Sequence, residues 1–339
     1  MSAPYPGGIT NVAMSGVPPQ ATESRAKFTD PDWTAAGERR ASVALAALET
    51  LWINTGTLCN IECVNCYIES SPKNDRLVYI TAAETGALLD EISTLGLGTR
   101  EIGFTGGEPF MNPEFLPMLE DALARGHEAL VLTNAMQPMQ RPRILKELGR
   151  LADAYGSQLV VRVSLDHHTQ VLHESERGAR TWDKALRGLD ILAKLPLTLA
   201  IAGRTCWGES QAESRAGYAA LIGERGWPID PEDTARLVLL PEMDGKDDIP
   251  EITTACWGIL HKDPSEMMCA RSRMVVKRKG HSAPSVVPCT LLPYDTAFHM
   301  GPTLAASLAA DGGMFEDGAV KLCHPHCAKF CVLGGGSCS

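Results

Sequence analysis

Thr50-Leu51-Trp52-Ile53-Asn54 is an apolar run that stops just short of Cys59-Asn60-Ile61-Glu62-Cys63-Val64-Asn65-Cys66-Tyr67. A short apolar run of this kind, bounded by polar residues, predicts a buried strand. Three thiols within eight residues then fall on the loop that leaves its C-terminal end. Thiolates are the ligands of iron–sulfur clusters, and three on one loop would hold three irons of a [4Fe–4S] cube and leave the fourth iron open. A structural zinc site is the alternative; it wants four ligands, and no further Cys or His stands nearby.

Outward from this stretch, strand and helix patterns alternate to about residue 240. Thr81-Ala82-Ala83-Glu84 is a capping box ahead of the stripe Leu88, Leu89, Ile92 and Leu95, and Gly96 is a stop signal. A strand at 101–104 leads to a helix opened by Asn112-Pro113-Glu114 and closed by Gly126. Strands are expected at 129–133, 159–165, 197–201 and 235–240, and helices at 142–155, 181–195 and 209–225. The strands are near-continuous apolar runs, as in a parallel sheet covered on both faces. Six such units are too few for a full barrel, so the expected fold is α/β, a partial (βα)6 TIM-like barrel. Functional groups belong at the C-terminal ends of its strands. Residues 1–47 read as an irregular arm ending in a short Ala-rich helix near Ser42, and 48–245 as the barrel. Residues 246–339 read as a small C-terminal Cys-rich metal-binding domain.

The chain has 339 residues, 44% of them hydrophobic and 21% charged, so it can bury a core without staples. A net charge of -10 argues against nucleic-acid binding through bulk charge. No apolar stretch is long enough for a membrane span, and no secretory signal is visible, so a cytoplasmic location is expected. Eleven cysteines, an odd number in two main clusters, then read as metal ligands rather than disulfides.

The C-x3-C-x2-C-aromatic loop after the first strand resembles the signature of the radical SAM superfamily. Further segments match in order: Gly106-Gly107-Glu108 after the second strand, Thr133-Asn134 after the third, and Ser164-Leu165-Asp166 after the fourth. The resemblance implies a [4Fe–4S] cluster on Cys59, Cys63 and Cys66, with S-adenosylmethionine at the open iron. It implies SAM contacts from Gly106, Gly107, Glu108, Thr133, Asn134, Ser164 and Asp166. A carboxylate-binding Arg177, an adenine-contacting segment near Ile201, and Tyr67 packed on the cluster or adenine side are implied too. The reduced cluster would break the S–C5′ bond of SAM to a 5′-deoxyadenosyl radical that abstracts hydrogen. A flavodoxin- or ferredoxin-type reductant would supply the electron.

Cys269 and Cys289 flank an expected hairpin, Met274 to Lys277 and Ser285 to Pro288, turning at Gly280. Cys323, Cys327, Cys331 and Cys338 follow. This resembles the SPASM/twitch extension and implies one or two auxiliary [4Fe–4S] clusters. The expected ligands of one cluster are Cys269, Cys289 and two of the last four. The pattern departs from the family: eight residues, rather than four, separate Gly280 from Cys289. Zinc is the alternative, because His324 and His326 stand among the thiols.

Arg271, Arg273, Lys277, Arg278 and Lys279 read as a solvated hairpin face, with docking of an anionic substrate or a reductase as the other reading. His167-His168 reads as a loop rather than a metal pair, and Cys206 and Cys256 as small buried hydrophobes. The expected function is a radical SAM enzyme acting on a small molecule or a peptide presented by a partner. The Gly/Pro-rich first 48 residues look too short for a peptide-recognition domain, which tilts this reading toward a small molecule. A peptide maturase, a non-catalytic iron–sulfur scaffold, and an adenosyl transfer like that of arsenosugar-synthase-type proteins are alternatives. The last rests on the ending Cys331-Val332-Leu333-Gly334-Gly335-Gly336-Ser337-Cys338-Ser339.

Overall fold

The structure is a computed structural model, and it describes residues 26–241 and 248–334. In chain order the strands of the main body are β2 Thr50–Asn54, β3 Glu101–Thr105, β4 Glu128–Thr133, β5 Leu159–Ser164, β6 Thr198–Thr205 and β7 Leu237–Pro241. They pair in parallel in the order of the sequence. Between them run α1 Ala82–Leu95, α2 Phe115–Ala124, the short α3 Gln137–Gln140, α4 Pro142–Tyr155, α5 Gln170–Arg177, α6 Trp182–Leu192 and α7 Gln211–Arg225. This is the expected partial TIM-like barrel. Thr81 caps α1 in a full capping box, and Gly96 ends it at φ 61°. α2 begins later than Asn112-Pro113 suggested. Asn112 stands outside it, its amide donating to the carbonyls of Thr55 (3.1 Å) and Ile80 (2.9 Å).

The C-terminal region adds α8 Cys256–Leu260, α9 Met268–Arg271, β8 Ser272–Val276, β9 Ser285–Val287 and α10 Leu304–Leu308. The β8–β9 hairpin forms as expected, and it joins the barrel: β8 pairs in parallel with β2. A second sheet of three strands is made by β1 Ser42–Val43, β11 Ala319–Lys321 and β10 Phe315–Glu316. The helix expected near Ser42 is therefore replaced. β1 pairs with β11, and the N–H groups of Ala46 and Glu49 donate to the carbonyls of Ala270 and Arg271. Long-range pairing outweighs the helix propensity of alanine there. Buried Arg40 fastens the same segment to Glu251 (2.6 Å) and to the carbonyl of Leu322.

Register sorts side chains between the two faces of the barrel sheet. Trp52 lies level with Gly103 and Met274, and Gly103 with Leu130, which is level with Val160. These side chains fill the inner face, and a Cβ on Gly103 would lie 2.4 Å from the Trp52 ring. The alternate residues, among them Phe104, Val131, Val163 and Ile201, pack under the helices. Asn54 and Ser164 share the inner face at the C-terminal end, where the loops carry the cysteines.

Candidate active site and metal centres

The cluster loop leaves β2 pinned to the loop that leaves β3. Gly107 N–H donates to Gly56 O at 2.8 Å and Glu108 N–H to Leu58 O at 3.2 Å. A Cβ on Gly107 would lie 2.2 Å from the Leu58 oxygen, and one on Gly106, at φ 140°, 2.5 Å from the Gly56 oxygen. The close approach these glycines permit is thus between two backbones, which sets the height of the cysteines over the barrel.

Glu108 is fully buried and binds the next loop. Thr133 Oγ1 donates to its two oxygens at 2.8 and 3.0 Å, and Asn134 N–H donates to Oε2 at 2.9 Å. Burial pushes the Glu108 carboxyl up to about 7, against the pull of these donors. Asn134 then reaches the cluster loop, donating from Nδ2 to Asn60 Oδ1 (2.9 Å) and toward Cys59 Sγ (3.7 Å). Ser70 N–H donates to Cys66 Sγ at 3.3 Å.

The far side of the loop rests on α5, a helix that its polar sequence did not announce. Val64 N–H donates to Glu176 O at 2.8 Å, and Glu176 accepts from Asn65 Nδ2 at 2.9 Å and from Arg204 at 2.8 Å. The next residue, Arg177, pairs with Asp166 at 2.7 Å. Arg177 also opposes the rise that burial imposes on the Cys63 thiol. The structure thus brings together Cys59, Cys63, Cys66, Glu108, Thr133, Asn134, Asp166 and Arg177. Ser164 is level with Ala202 on the inner face. Ile201 is placed differently: its side chain is in the core beneath the helices. Tyr67, next to Cys66, is 40% exposed. Sequence reasoning missed Asn54, whose buried Nδ2 has no hydrogen-bond partner and sits at the strand end beside the loop. A polar residue ending an apolar strand was the signal for it.

His167 and His168 stack with ring centroids 4.0 Å apart on the loop after β5. With Glu209 they bring three ligand atoms within 4.8 Å of one another. His167 Nδ1 accepts from Thr169 N–H at 3.0 Å and lies 2.8 Å from Thr169 Oγ1, while its Nε2 stands 3.1 Å from Glu209 Oε2.

A second cavity is walled by Cys269, Cys289, Cys327 and Cys331, with Leu292 and His326. A π-helix over Cys327–Leu333 carries Cys327 and Cys331 one turn apart. Cys323 does not line this cavity, and its thiol donates to the carbonyls of Phe28 (3.0 Å) and Asp30 (3.4 Å). Cys338 lies outside the described residues. Cys206 and Cys256 are half-buried, the latter accepting from Thr253 N–H at 3.3 Å. The basic run is a solvated face only in part: Arg271 and Lys279 are exposed, but Arg273 is 0% exposed, Arg278 is buried, and Lys277 pairs with Glu84.

Both cysteine groups fit iron–sulfur clusters. Burial pushes the Cys59 thiol up to about 12 and Cys269 to about 11, and Cys289 and Cys327 well above the usual range. Such thiols become thiolates only against a cation. Among the described residues no three thiol sulfurs lie within 4.8 Å of one another.

Residues 53–203 match the family model described as the radical SAM superfamily. Over those residues the chain carries a radical SAM domain; members of that superfamily use a [4Fe–4S] cluster and S-adenosylmethionine, and a cysteine-rich region follows the domain here. It is similar to the antilisterial bacteriocin subtilosin biosynthesis protein AlbA of Bacillus subtilis, 31% identical over 122 residues, 36% of this chain and 25% of AlbA. It is also similar to the mycofactocin maturase MftC of Mycobacterium tuberculosis, 31% identical over 136 residues, 40% of this chain and 32% of MftC. The match thus spans a quarter to a third of these relatives' lengths. The fold is similar to Streptococcus suis SuiB bound to S-adenosylmethionine, with TM-score 0.56 at 12% identity over 79% of this chain and 67% of SuiB. It is likewise similar to anSMEcpe with bound AdoMet, with TM-score 0.52 at 15% identity over 77% of this chain and 80% of that one. Among the described residues no helix is long and apolar enough to cross a membrane.

Proposed function

We propose that this chain is a radical SAM enzyme that modifies a peptide by hydrogen abstraction. The observation that carries the reading is the loop of Cys59, Cys63 and Cys66 at the barrel mouth, tied to Glu108, Asn134 and α5 by named hydrogen bonds. When bound there, the cluster and SAM supply a 5′-deoxyadenosyl radical. Glu108, with Thr133 and Asn134, fixes the loop that faces the amino group of SAM. Asn54 Nδ2 offers an unused donor, and the Asp166–Arg177 pair offers charge for a ribose or a carboxylate.

The organisation proposed is an arm to residue 47, a barrel over 48–245 and an auxiliary-cluster region from 246. Cys269, Cys289, Cys327 and Cys331 are its cluster ligands. A peptide is favoured over a small molecule by two observations. The curated relatives include proteins named for bacteriocin biosynthesis and for mycofactocin maturation. A cavity of about 490 Å³ also opens beside Asn60 and Ile61, toward Gln137, Arg141 and Lys184, with room for a side chain. The electron is proposed to come from a flavodoxin- or ferredoxin-type reductant, on the side where Val64 is 72% exposed. Cysteines without a disulfide among the described residues suit a reducing cytoplasm.

Anaerobic protein reduced with dithionite is expected to convert SAM to 5′-deoxyadenosine, and Cys63→Ala to lose both the cluster signal and the product. Product formation by Cys63→Ala would refute the assignment. A candidate peptide should lose two mass units only with the wild type, one hydrogen atom going to 5′-deoxyadenosine and the second leaving as a proton while its electron passes to the proposed auxiliary cluster.

A further inference from the structure

Arg273, on β8, is 0% exposed, and its guanidinium meets only carbonyl oxygens. Nη1 donates to Cys269 O (2.6 Å) and Ser272 O (2.8 Å), Nη2 donates to Gly318 O (3.1 Å), and Nε has no partner. Among the described residues no carboxylate pairs with it. The charged neighbours that act on it are Cys269 and Cys289, two walls of the second cysteine cavity. A buried cation without an anion is costly, and arginine does not escape the cost by losing its proton. The position therefore calls for a negative charge that the protein's own carboxylates do not supply.

We propose that Arg273 is the counter-ion of the auxiliary cluster and sets its reduction potential. The inference rests on the reading of Cys269, Cys289, Cys327 and Cys331 as that cluster's ligands. A [4Fe–4S] centre with four thiolates is net negative in either oxidation state, and one unit more negative when reduced. A fixed positive charge beside it favours the reduced form and raises the potential. No proton need move when the electron arrives. Arg273 acts here as a positioning and tuning residue, not a catalytic one.

The test is a redox titration of the anaerobic holoprotein followed by electron paramagnetic resonance. The auxiliary signal is the one that added SAM leaves unchanged. Arg273→Met and Arg273→Gln are expected to keep the iron content and to lower the auxiliary midpoint by at least tenfold in the reduction equilibrium, 59 mV for one electron. The SAM-responsive signal should stay in place, and Arg273→Lys should stay near wild type. An unmoved midpoint in a neutral variant that keeps its cluster overturns the inference. If both neutral variants lose the auxiliary iron, retention by Arg273→Lys supports the charge. Loss by Arg273→Lys as well shows a mere structural peg and overturns it. A wild type with about four irons per chain and no second signal overturns the auxiliary cluster itself, and this inference with it.

Discussion

Arg177 and Asp166 meet in a two-point ion pair, Nε to Oδ2 at 2.7 Å and Nη2 to Oδ1 at 3.0 Å, with side chains only 13% and 8% exposed. One partner ends α5 and the other follows β5, so the pair joins the helix under the cluster loop to the barrel mouth. The neighbouring Glu176 extends the brace to Asn65 and Arg204. The three cysteines are therefore held from two directions, by this brace and by the Glu108 network.

Breaking that pair should destabilise the chain. Arg177→Met leaves a buried carboxylate uncompensated, which costs on the order of 3–5 kcal/mol. Asp166→Asn with Arg177→Met should cost clearly less than the sum of the two single changes. Anaerobic urea unfolding of the four proteins measures this. Additive losses would show that the contact contributes no coupling.

Glu108 gives a pH signature. Its carboxyl is raised from the ordinary 4.5 to about 7 because burial penalises the charged form. A group raised in the folded state stabilises the chain fully below its unfolded value. That contribution is lost as pH rises through the folded value. Between pH 4.5 and 7 the wild type should lose roughly 3 kcal/mol that Glu108→Gln does not. At neutral pH the glutamine turns an NH2 toward the Asn134 or Thr133 donor, so the variant keeps a pH-independent loss. Thermal unfolding of metal-free protein at a series of pH values checks both, and parallel curves would rule out a titrating Glu108.

Much of this was legible in the chain because local patterns and tertiary packing agree there. The Thr81 capping box, the Pro142 start and the apolar strands each specify one element with little outside help. The three cysteines of the first loop declare themselves by spacing alone. α5 was hidden because its exposed face carries Gln170 and Ser175 while its buried contacts, Glu176 with Arg204, are polar. The basic run misled for the opposite reason. Charge predicts a solvated face, yet β8 lies between β2 and β9, and alternation puts Arg273 level with Leu51 on the buried face opposite Met274. Which of the late cysteines share a cavity depended on the π-helix and on the Phe28 segment that occupies Cys323, and neither is written in local sequence.

Gly107 tests whether the two loops must touch. An added Cβ would fall 2.2 Å from the Leu58 oxygen, and the obstacle is backbone rather than a flexible side chain. Gly107→Ala should push the cluster loop away and break the bonds from Gly107 and Glu108 to Gly56 and Leu58. The expected result is folded protein with about half the iron of wild type and little 5′-deoxyadenosine. Circular dichroism and an iron assay report the two separately. Full iron and full activity would mean that the loop yields without consequence.

The late cysteines should divide by function. Cys327 shares its cavity with Cys269, Cys289 and Cys331, and burial holds its thiol well above the ordinary range. Cys323 instead spends its hydrogen on the carbonyls of Phe28 and Asp30. Cys327→Ser should then remove the auxiliary cluster, about four irons per chain, while 5′-deoxyadenosine formation survives in part. Cys323→Ser should keep all the iron. Serine is shorter than cysteine but still donates, so its cost is that of one weakened hydrogen bond, about 1 kcal/mol. Iron and acid-labile sulfide counts on anaerobically purified variants decide the matter. Equal iron loss from both would place Cys323 among the ligands and undo the division.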